Sequence, residues 1–204
     1  MNLMDLLQWQ LSDGVLNGMS NQLNIGDQKK TNVAANTALS ILMSAISKNA
    51  NSSSSALSGL AGALDRDHDG SILDDLMGLM TGRVQSQNQS MLNGAGILKH
   101  VLGGNQNSAV DMLSKMSGLD SNQSVSMLAK LAPMVLGVLG RFKKQKQLDS
   151  NGLQDYLSNS QQQYVKQNEG ADIFTKFLDK DGDGSVMDEV ASMGLKVLGN
   201  FLKK

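Results

Sequence analysis

Residues 121–142 read SNQSVSMLAKLAPMVLGVLGRF, and this stretch decides the fold. Its apolar residues recur at helical spacing and cover nearly every face of a helix predicted to begin at Asp120 or Ser121. They are Val125, Leu128, Leu131, Met134, Val135, Leu136, Val138, Leu139 and Phe142. A helix that is apolar on all sides must be buried, which places this one at the centre of a bundle. Pro133, the only proline, should kink the helix or mark its first turn.

The segments around this stretch also have the spacing of helices. We expect two short helices in residues 3–23, broken near Gly14, then a longer helix capped by Asp27, and a loop at 49–55. The apolar stripe of the longer helix is Ala34, Ala38, Ile41, Leu42 and Ala45. Further short helices are expected around 57–64, 97–102 and 109–117, with Gly103 and Gly104 closing the second of them. The predicted fold class is therefore all-α, a compact multi-helix domain.

The composition limits the chemistry and the compartment. The chain has 204 residues, of which 40% are hydrophobic and 3% aromatic. Its core must therefore consist of aliphatic side chains, and some of the 13 methionines are expected to fill gaps among them. It has no cysteine, which excludes disulfides, thiolate metal sites and cysteine nucleophiles. The start MNLMDLLQWQ lacks the basic region of a signal peptide, and the apolar run 131–139 is too short to span a bilayer. We expect a cytoplasmic protein.

A short acidic loop occurs twice. Residues 65–75 read DRDHDGSILDD and residues 179–189 read DKDGDGSVMDE. Aspartates at positions 1, 3 and 5, glycine at 6 and a carbonyl donor at 7 follow the oxygen-ligand spacing of an EF-hand calcium loop. The ligands predicted on this basis are Asp65, Asp67, Asp69 and Ser71 in the first loop, and Asp179, Asp181, Asp183 and Ser185 in the second.

The closing ligand of each loop differs from the EF-hand pattern. Position 12, normally a bidentate Glu, is apolar in both loops. The closing carboxylate must therefore come from position 10 (Asp74, Asp188) or position 11 (Asp75, Glu189). Position 10 also fits a helix cap, because it stands three residues after a serine. The sequence favours position 11 and leaves both open.

Two bound calcium ions are the cofactors that these loops predict. Five acids within eleven residues repel each other unless a cation lies among them, and a plain solvated Asp/Gly turn is the alternative. Calcium suits such flexible oxygen sites better than magnesium, which needs near-ideal octahedral geometry. The spacing of the two loops along the chain does not indicate whether they pair in space.

Five segments resemble a known family in order and spacing: MNLMDLL, ALSILMSAISKNA, ALDRDHDGSILDDLMGLM, GAGILKHVLGG and LAKLAPMVLGVLGR. Together they cover roughly residues 1–142 and resemble the YidB-like family of uncharacterised bacterial proteins. The resemblance implies an all-helical fold with elements similar to homeodomain-type helix-turn-helix units, and it implies no activity. The acidic loops are not essential to the family pattern.

The expected organisation has three parts. Residues 1–147 form the YidB-like helical domain with the first acidic loop, and residues 148–170 form a polar linker or an exposed helix. Residues 171–204 form a C-terminal helix, calcium loop and helix module.

The pattern favours a calcium-binding helical scaffold or protein-interaction protein, in which calcium is mainly structural and the partner is another protein or a second copy. One alternative is a nucleic-acid-binding protein that uses a helix-turn-helix-like element and the basic run RFKKQKQ at 141–147. Another is a calcium-responsive switch. We do not expect an enzyme, because His68 and His100 are the only histidines and no catalytic or phosphate-binding motif is present.

Overall fold

The computed structural model describes residues 3–66 and 93–167, and these residues form an all-α fold without strands, as predicted. The first four helices are α1 (Leu3–Gln10), α2 (Asp13–Gln22), α3 (Gln28–Ser52) and α4 (Ser54–Arg66). The next four are α5 (Gly94–Leu102), α6 (Gln106–Ser117), α7 (Ser121–Lys146) and α8 (Ser150–Gln167). A short 3-10 turn, Gly103–Asn105, connects α5 to α6.

Side-chain caps begin the two longest helices where the sequence predicts. The Asp27 carboxylate accepts hydrogen bonds from the backbone N–H groups of Lys29 and Lys30, at 2.8 and 3.2 Å. Asp120 begins α7 with a capping box, in which it and Gln123 each accept from the other's backbone N–H. Such caps satisfy donors that the first turn of a helix cannot pair internally. Gln123 also donates to the carbonyls of Leu23 and Asn24, so the start of α7 is fixed to the end of α2.

Helix α3 is buried on every side over residues 37–47. The sequence predicted only a stripe, because Thr37, Ser40, Ser44 and Ser47 count as polar in the pattern. These side chains are small, and a serine in a helix can bond to its own backbone, as the Ser40 hydroxyl does to the Asn36 carbonyl at 3.0 Å. Neighbouring helices therefore approach α3 closely, and α2 and α4 to α8 all contact it.

Helix α7 has the central position that its sequence predicts, with residues 131–140 all buried. Pro133 lies inside the helix and not in its first turn. Because proline has no N–H, the carbonyl of Ala129 lacks its usual donor within the helix. The backbone of Gly94, at the start of α5, lies against that carbonyl: a Cβ added at Gly94 would be 1.8 Å from the Ala129 oxygen. The position therefore requires glycine, because no side chain fits between α5 and α7.

Two local boundaries differ from the prediction. The break between α1 and α2 lies at residues 11–12, and Gly14 is inside α2. Residues 49–55 are not a loop, because α3 continues to Ser52 and α4 begins at Ser54. The Asn49 side chain donates to the carbonyl of Val101 at 2.9 Å, so this polar segment pairs with the end of α5.

Most of segment 148–170 forms helix α8, which packs on α1, α3 and α4. Leu153 and Leu157 are buried in the core. Polar side chains of the same helix form hydrogen bonds with α3. The hydroxyls of Tyr164 and Ser40 are 2.8 Å apart, and Gln154 donates to Asn51 at 2.9 Å. The division into domains stays a prediction, and residues 171–204 lie outside the described part of the chain.

Replacing Gly94 with alanine should destabilise the protein by about 1–3 kcal/mol, because the new Cβ cannot fit against the Ala129 carbonyl without moving α5 or α7. Gly59→Ala is the matched control: it lies inside α4 with open space at its Cβ position and should gain up to about 1 kcal/mol. Urea unfolding measures both. Equal stability of the two variants would contradict the close approach of α5 to α7.

Candidate functional site

Of the twelve predicted calcium ligands, only Asp65 lies within residues 3–66 and 93–167. It stands in the last turn of α4, whose apolar residues Leu57, Ala61 and Leu64 are buried against the core. The Asp65 side chain is 60% exposed. The structure therefore fixes the first position of the first acidic loop at the end of a packed helix, and the other predicted ligands lie outside the described residues.

The Asp65 carboxylate is paired with a lysine of the central helix. The Nζ of Lys143, in the last turn of α7, is 2.6 Å from the Oδ1 of Asp65. The Lys143 side chain is only 10% exposed, so its ammonium is largely withdrawn from water. A charge in such a place needs a partner, because desolvation is costly unless an opposite charge lies nearby. The pair ties the start of the acidic loop to the core.

Sequence reasoning did not find this pair. In the sequence, the run 141–147 is a basic stretch that suits contacts with nucleic-acid phosphates. The structure divides that run: Lys143 is buried and holds Asp65, whereas Arg141, Lys144 and Lys146 are exposed. The only sequence signal for this pair is the position of Lys143, one turn after an apolar run. Its partner Asp65 lies 78 residues away along the chain.

An aromatic contact joins the same end of α7 to α8. The rings of Phe142 and Tyr156 are stacked, with centroids 4.2 Å apart and planes inclined by 23°. Burial raises the pKa of the Tyr156 hydroxyl, and the negative charge of Asp5 raises it further. The end of α7 therefore contacts α4 through Lys143 and α8 through Phe142.

A second, half-buried cation, Lys130, lies on the opposite half of α7. Burial lowers the pKa of the Lys130 ammonium, which donates to the Gln22 side chain at 2.7 Å. This bond adds to the attachment between α2 and α7. It indicates a structural role, since the partner is an amide of the neighbouring helix.

A cleft of about 660 Å³ lies between α4 and α5, with α3 and α7 at its base. Its walls are mainly apolar, from residues such as Leu60, Ile97 and Leu136, and its polar groups include Asn49 and His100. A cleft of this size and character is typical of sites that bind a ligand or another chain. The sequence did not predict it, because four helices must pack before it forms.

Metal-ligating residues do not cluster in groups of three or more within the part of the chain that the structure describes. Residues 67–75 and 179–189, which carry most of the predicted ligands, are outside that part. The calcium sites, their closing ligands and the pairing of the two loops therefore stay predictions.

Among the described helices, α7 is long and apolar enough to cross a membrane by length and composition alone. However, 72% of its apolar 18-residue stretch is buried inside the protein. A buried core helix meets the same criterion, and the contacts of α7 with α3, α4, α5 and α6 account for its apolar surface.

Replacing Asp65 with alanine should destabilise the chelator-treated protein by about 1–3 kcal/mol, because the buried Lys143 ammonium loses its counter-charge. Lys143→Met should cost less, below about 1 kcal/mol, because Asp65 remains hydrated and methionine preserves the packing. Asp155→Ala, at an exposed site on α8, is the control and should change stability by less than about 0.5 kcal/mol. If Lys143→Met costs more than Asp65→Ala in urea unfolding, the assignment of the buried charge is wrong.

Comparison with known proteins adds a family to this description. No curated protein matches the chain, and no solved structure matches it. A family model described as a bacterial protein of unknown function, DUF937, matches residues 5–142. The match begins inside α1, covers α2 to α6 and most of α7, and ends before α8. With more than half of its length matched, the chain belongs to this bacterial family of unknown function.

Proposed function

We propose that this protein is a calcium-binding helical scaffold that contacts other protein chains, with calcium mainly in a structural role. The observation that carries the proposal is the pair of acidic loops at 65–75 and 179–189. Ten of the 19 acidic residues of the chain lie in these 22 positions, in a protein whose formal net charge is only −1. Carboxylates at this density repel each other unless a cation lies among them, and their alternating spacing suits calcium.

The position of Asp65 supports a structural role for the ion. Asp65 lies in the last turn of a helix whose apolar face is buried, and it contacts the central helix through Lys143. An ion held by the loop would therefore be attached to the core from its first ligand. Binding to the native state alone stabilises that state, by about 2.7 kcal/mol per site at a hundredfold excess over Kd.

The nucleic-acid alternative receives less support from the described residues. Of the four cations in the basic run 141–147, three are exposed, but Lys143 is buried against Asp65 and is withdrawn from any contact with phosphates. Aromatic residues make up only 3% of the chain, which leaves few side chains for stacking on bases. The helix-turn-helix-like arrangement stays a prediction.

Two features of the surface support contact with another protein chain. The cleft between α4 and α5 is mainly apolar, and Trp9 on α1 is 73% exposed. Exposed tryptophans and apolar clefts are over-represented where proteins bind each other. We propose a cytoplasmic protein without an enzymatic role.

Chelator should lower the melting temperature of the purified protein clearly, because removing calcium leaves the loop acids to repel each other in the folded state. The control removes two ligand carboxylates from each loop through Asp67→Asn, Asp69→Asn, Asp181→Asn and Asp183→Asn, and its melting temperature should be the same with calcium and with chelator. Circular dichroism measures both proteins. A wild-type melting curve that is identical in calcium and in chelator would exclude structural calcium.

Light scattering over a concentration series should show self-association, or affinity capture should recover a protein partner, in the presence of calcium. The variant Trp9→Ser tests whether α1 takes part in the contact. It removes the exposed indole without touching the core, and it should weaken the association with the other chain if α1 takes part. A protein that remains monomeric and captures no partner, with calcium or with chelator, would contradict the interaction role.

A further inference from the structure

We propose that the partner of this protein is a second copy of the same chain, and that Trp9 of one copy binds in the cleft between α4 and α5 of the other. The inference rests on the proposed function, because it names the partner for the interaction role. It joins two features of the described helices: an exposed indole on α1, and an apolar cleft to which α1 contributes no lining residue.

Trp9 is exposed although the rest of its helix is well packed. It is the only tryptophan of the chain and is 73% exposed, whereas Leu3, Met4 and Leu7 of the same helix are buried. An indole has a large apolar surface whose removal from water is favourable, and tryptophan is enriched among the residues that carry most of the binding energy between proteins. Trp9 therefore marks α1 as a contact surface.

The cleft has the size and the chemistry to hold an indole. Its volume of about 660 Å³ exceeds that of any single side chain, and Leu60 and Ile97 supply apolar walls. Open space lies at the Cβ position of Gly59, which also lines the cleft. Asn49 lines it too and donates from its amide nitrogen to the carbonyl of Val101, so its amide oxygen can accept a hydrogen bond. A buried indole N–H needs such an acceptor.

The charges of the two surfaces are opposite. The cleft is lined mainly by α3, α4, α5 and α7, and the only acidic residue in these four helices is Asp65, which is paired with a lysine of α7. Lys99 and His100 are exposed in the last turn of α5, and His100 lines the cleft. Helices α1 and α2 instead carry Asp5 and Asp13, both exposed, and contain no lysine or arginine. Complementary charge steers association and fixes orientation, so the acidic surface around Trp9 suits the basic helices around the cleft.

Two copies can make this contact reciprocally. The indole of a chain is exposed and does not lie in its own cleft, and α1 packs on α7 and α8. Another chain must therefore supply the indole that enters the cleft. Under two-fold symmetry each copy gives its indole and receives that of the other, so one interface contains the contact twice.

The test uses two variants that remove opposite halves of the contact. Trp9→Ser removes the indole and leaves the cleft intact. Gly59→Leu fills the cleft from α4, where a side chain has open space, and leaves the indole intact. Val125→Ser is the matched control, because Val125 is an exposed apolar residue at the start of α7 that does not line the cleft. Circular dichroism establishes that each variant is folded, and Gly59→Met is a second way to fill the cleft.

Sedimentation velocity at chain concentrations from about 1 µM to about 1 mM should show association of the wild type and of Val125→Ser. Trp9→Ser and Gly59→Leu should each weaken the association at least about tenfold, because each removes the anchor of the contact. An equimolar mixture of these two variants should associate more tightly than either alone, because the indole of the Gly59→Leu chain can enter the cleft of the Trp9→Ser chain. High salt should weaken the association of the wild type, because it screens the attraction between the two surfaces.

Tryptophan fluorescence reports the contact directly, because the chain has one tryptophan. The emission of the wild type should shift to shorter wavelength as the concentration rises, since the indole leaves water. The emission of Gly59→Leu should stay constant over the same range.

A wild-type chain that stays monomeric up to about 1 mM would overturn the inference, and so would association that both Trp9→Ser and Gly59→Leu leave unchanged. A mixture of the two variants that associates no more tightly than either alone would also contradict it. Capture of a different protein by a monomeric wild-type chain would overturn the inference and leave the interaction role in place. A monomer that captures nothing would contradict that role as well, so the two failures are distinguishable.

Discussion

The whole fold depends on the close packing that the small side chains of α3 permit. Over residues 37–47 this helix exposes no face to solvent, and neighbouring helices contact it on all sides. Serine, threonine and alanine make this possible because they occupy little volume, and hydroxyls such as that of Ser40 bond to the helix backbone. The apolar helix α7 then packs beside α3, and α5 approaches α7 so closely that Gly94 meets the Ala129 carbonyl.

Much of this fold is readable from the sequence, and the exceptions have physical causes. The burial of α7 follows from its apolar residues, and the starts of α3 and α7 follow from Asp27 and Asp120. The full burial of α3 does not follow, since hydropathy counts Ser44 and Ser47 as polar although their neighbours cover them. For the same reason residues 49–55 resemble a loop in composition, while tertiary contacts of Asn49 keep α3 helical to Ser52.

The candidate site also combines features that are readable from the sequence with features that depend on tertiary contacts. The two acidic loops are visible as local patterns, because ligand spacing within a loop is a property of neighbouring residues. The pair between Asp65 and Lys143 is not visible, because its partners are 78 residues apart and meet only when α4 packs on α7. The cleft between α4 and α5 likewise depends on the assembled helices. Sequence therefore predicts the chemistry of the loops, and the structure adds the charge that lies beside the first of them.

Charge distribution connects these observations. A near-neutral chain concentrates its acids in two short loops and leaves the remaining helical body basic, and one buried lysine of that body contacts the first loop. We propose that each of the two loops holds one calcium ion. Calorimetric titration of the wild-type chain with calcium, run beside magnesium, tests it most directly. We expect two calcium ions per chain, each bound more tightly than magnesium; no calcium heat, or equal affinity for magnesium, would contradict the account.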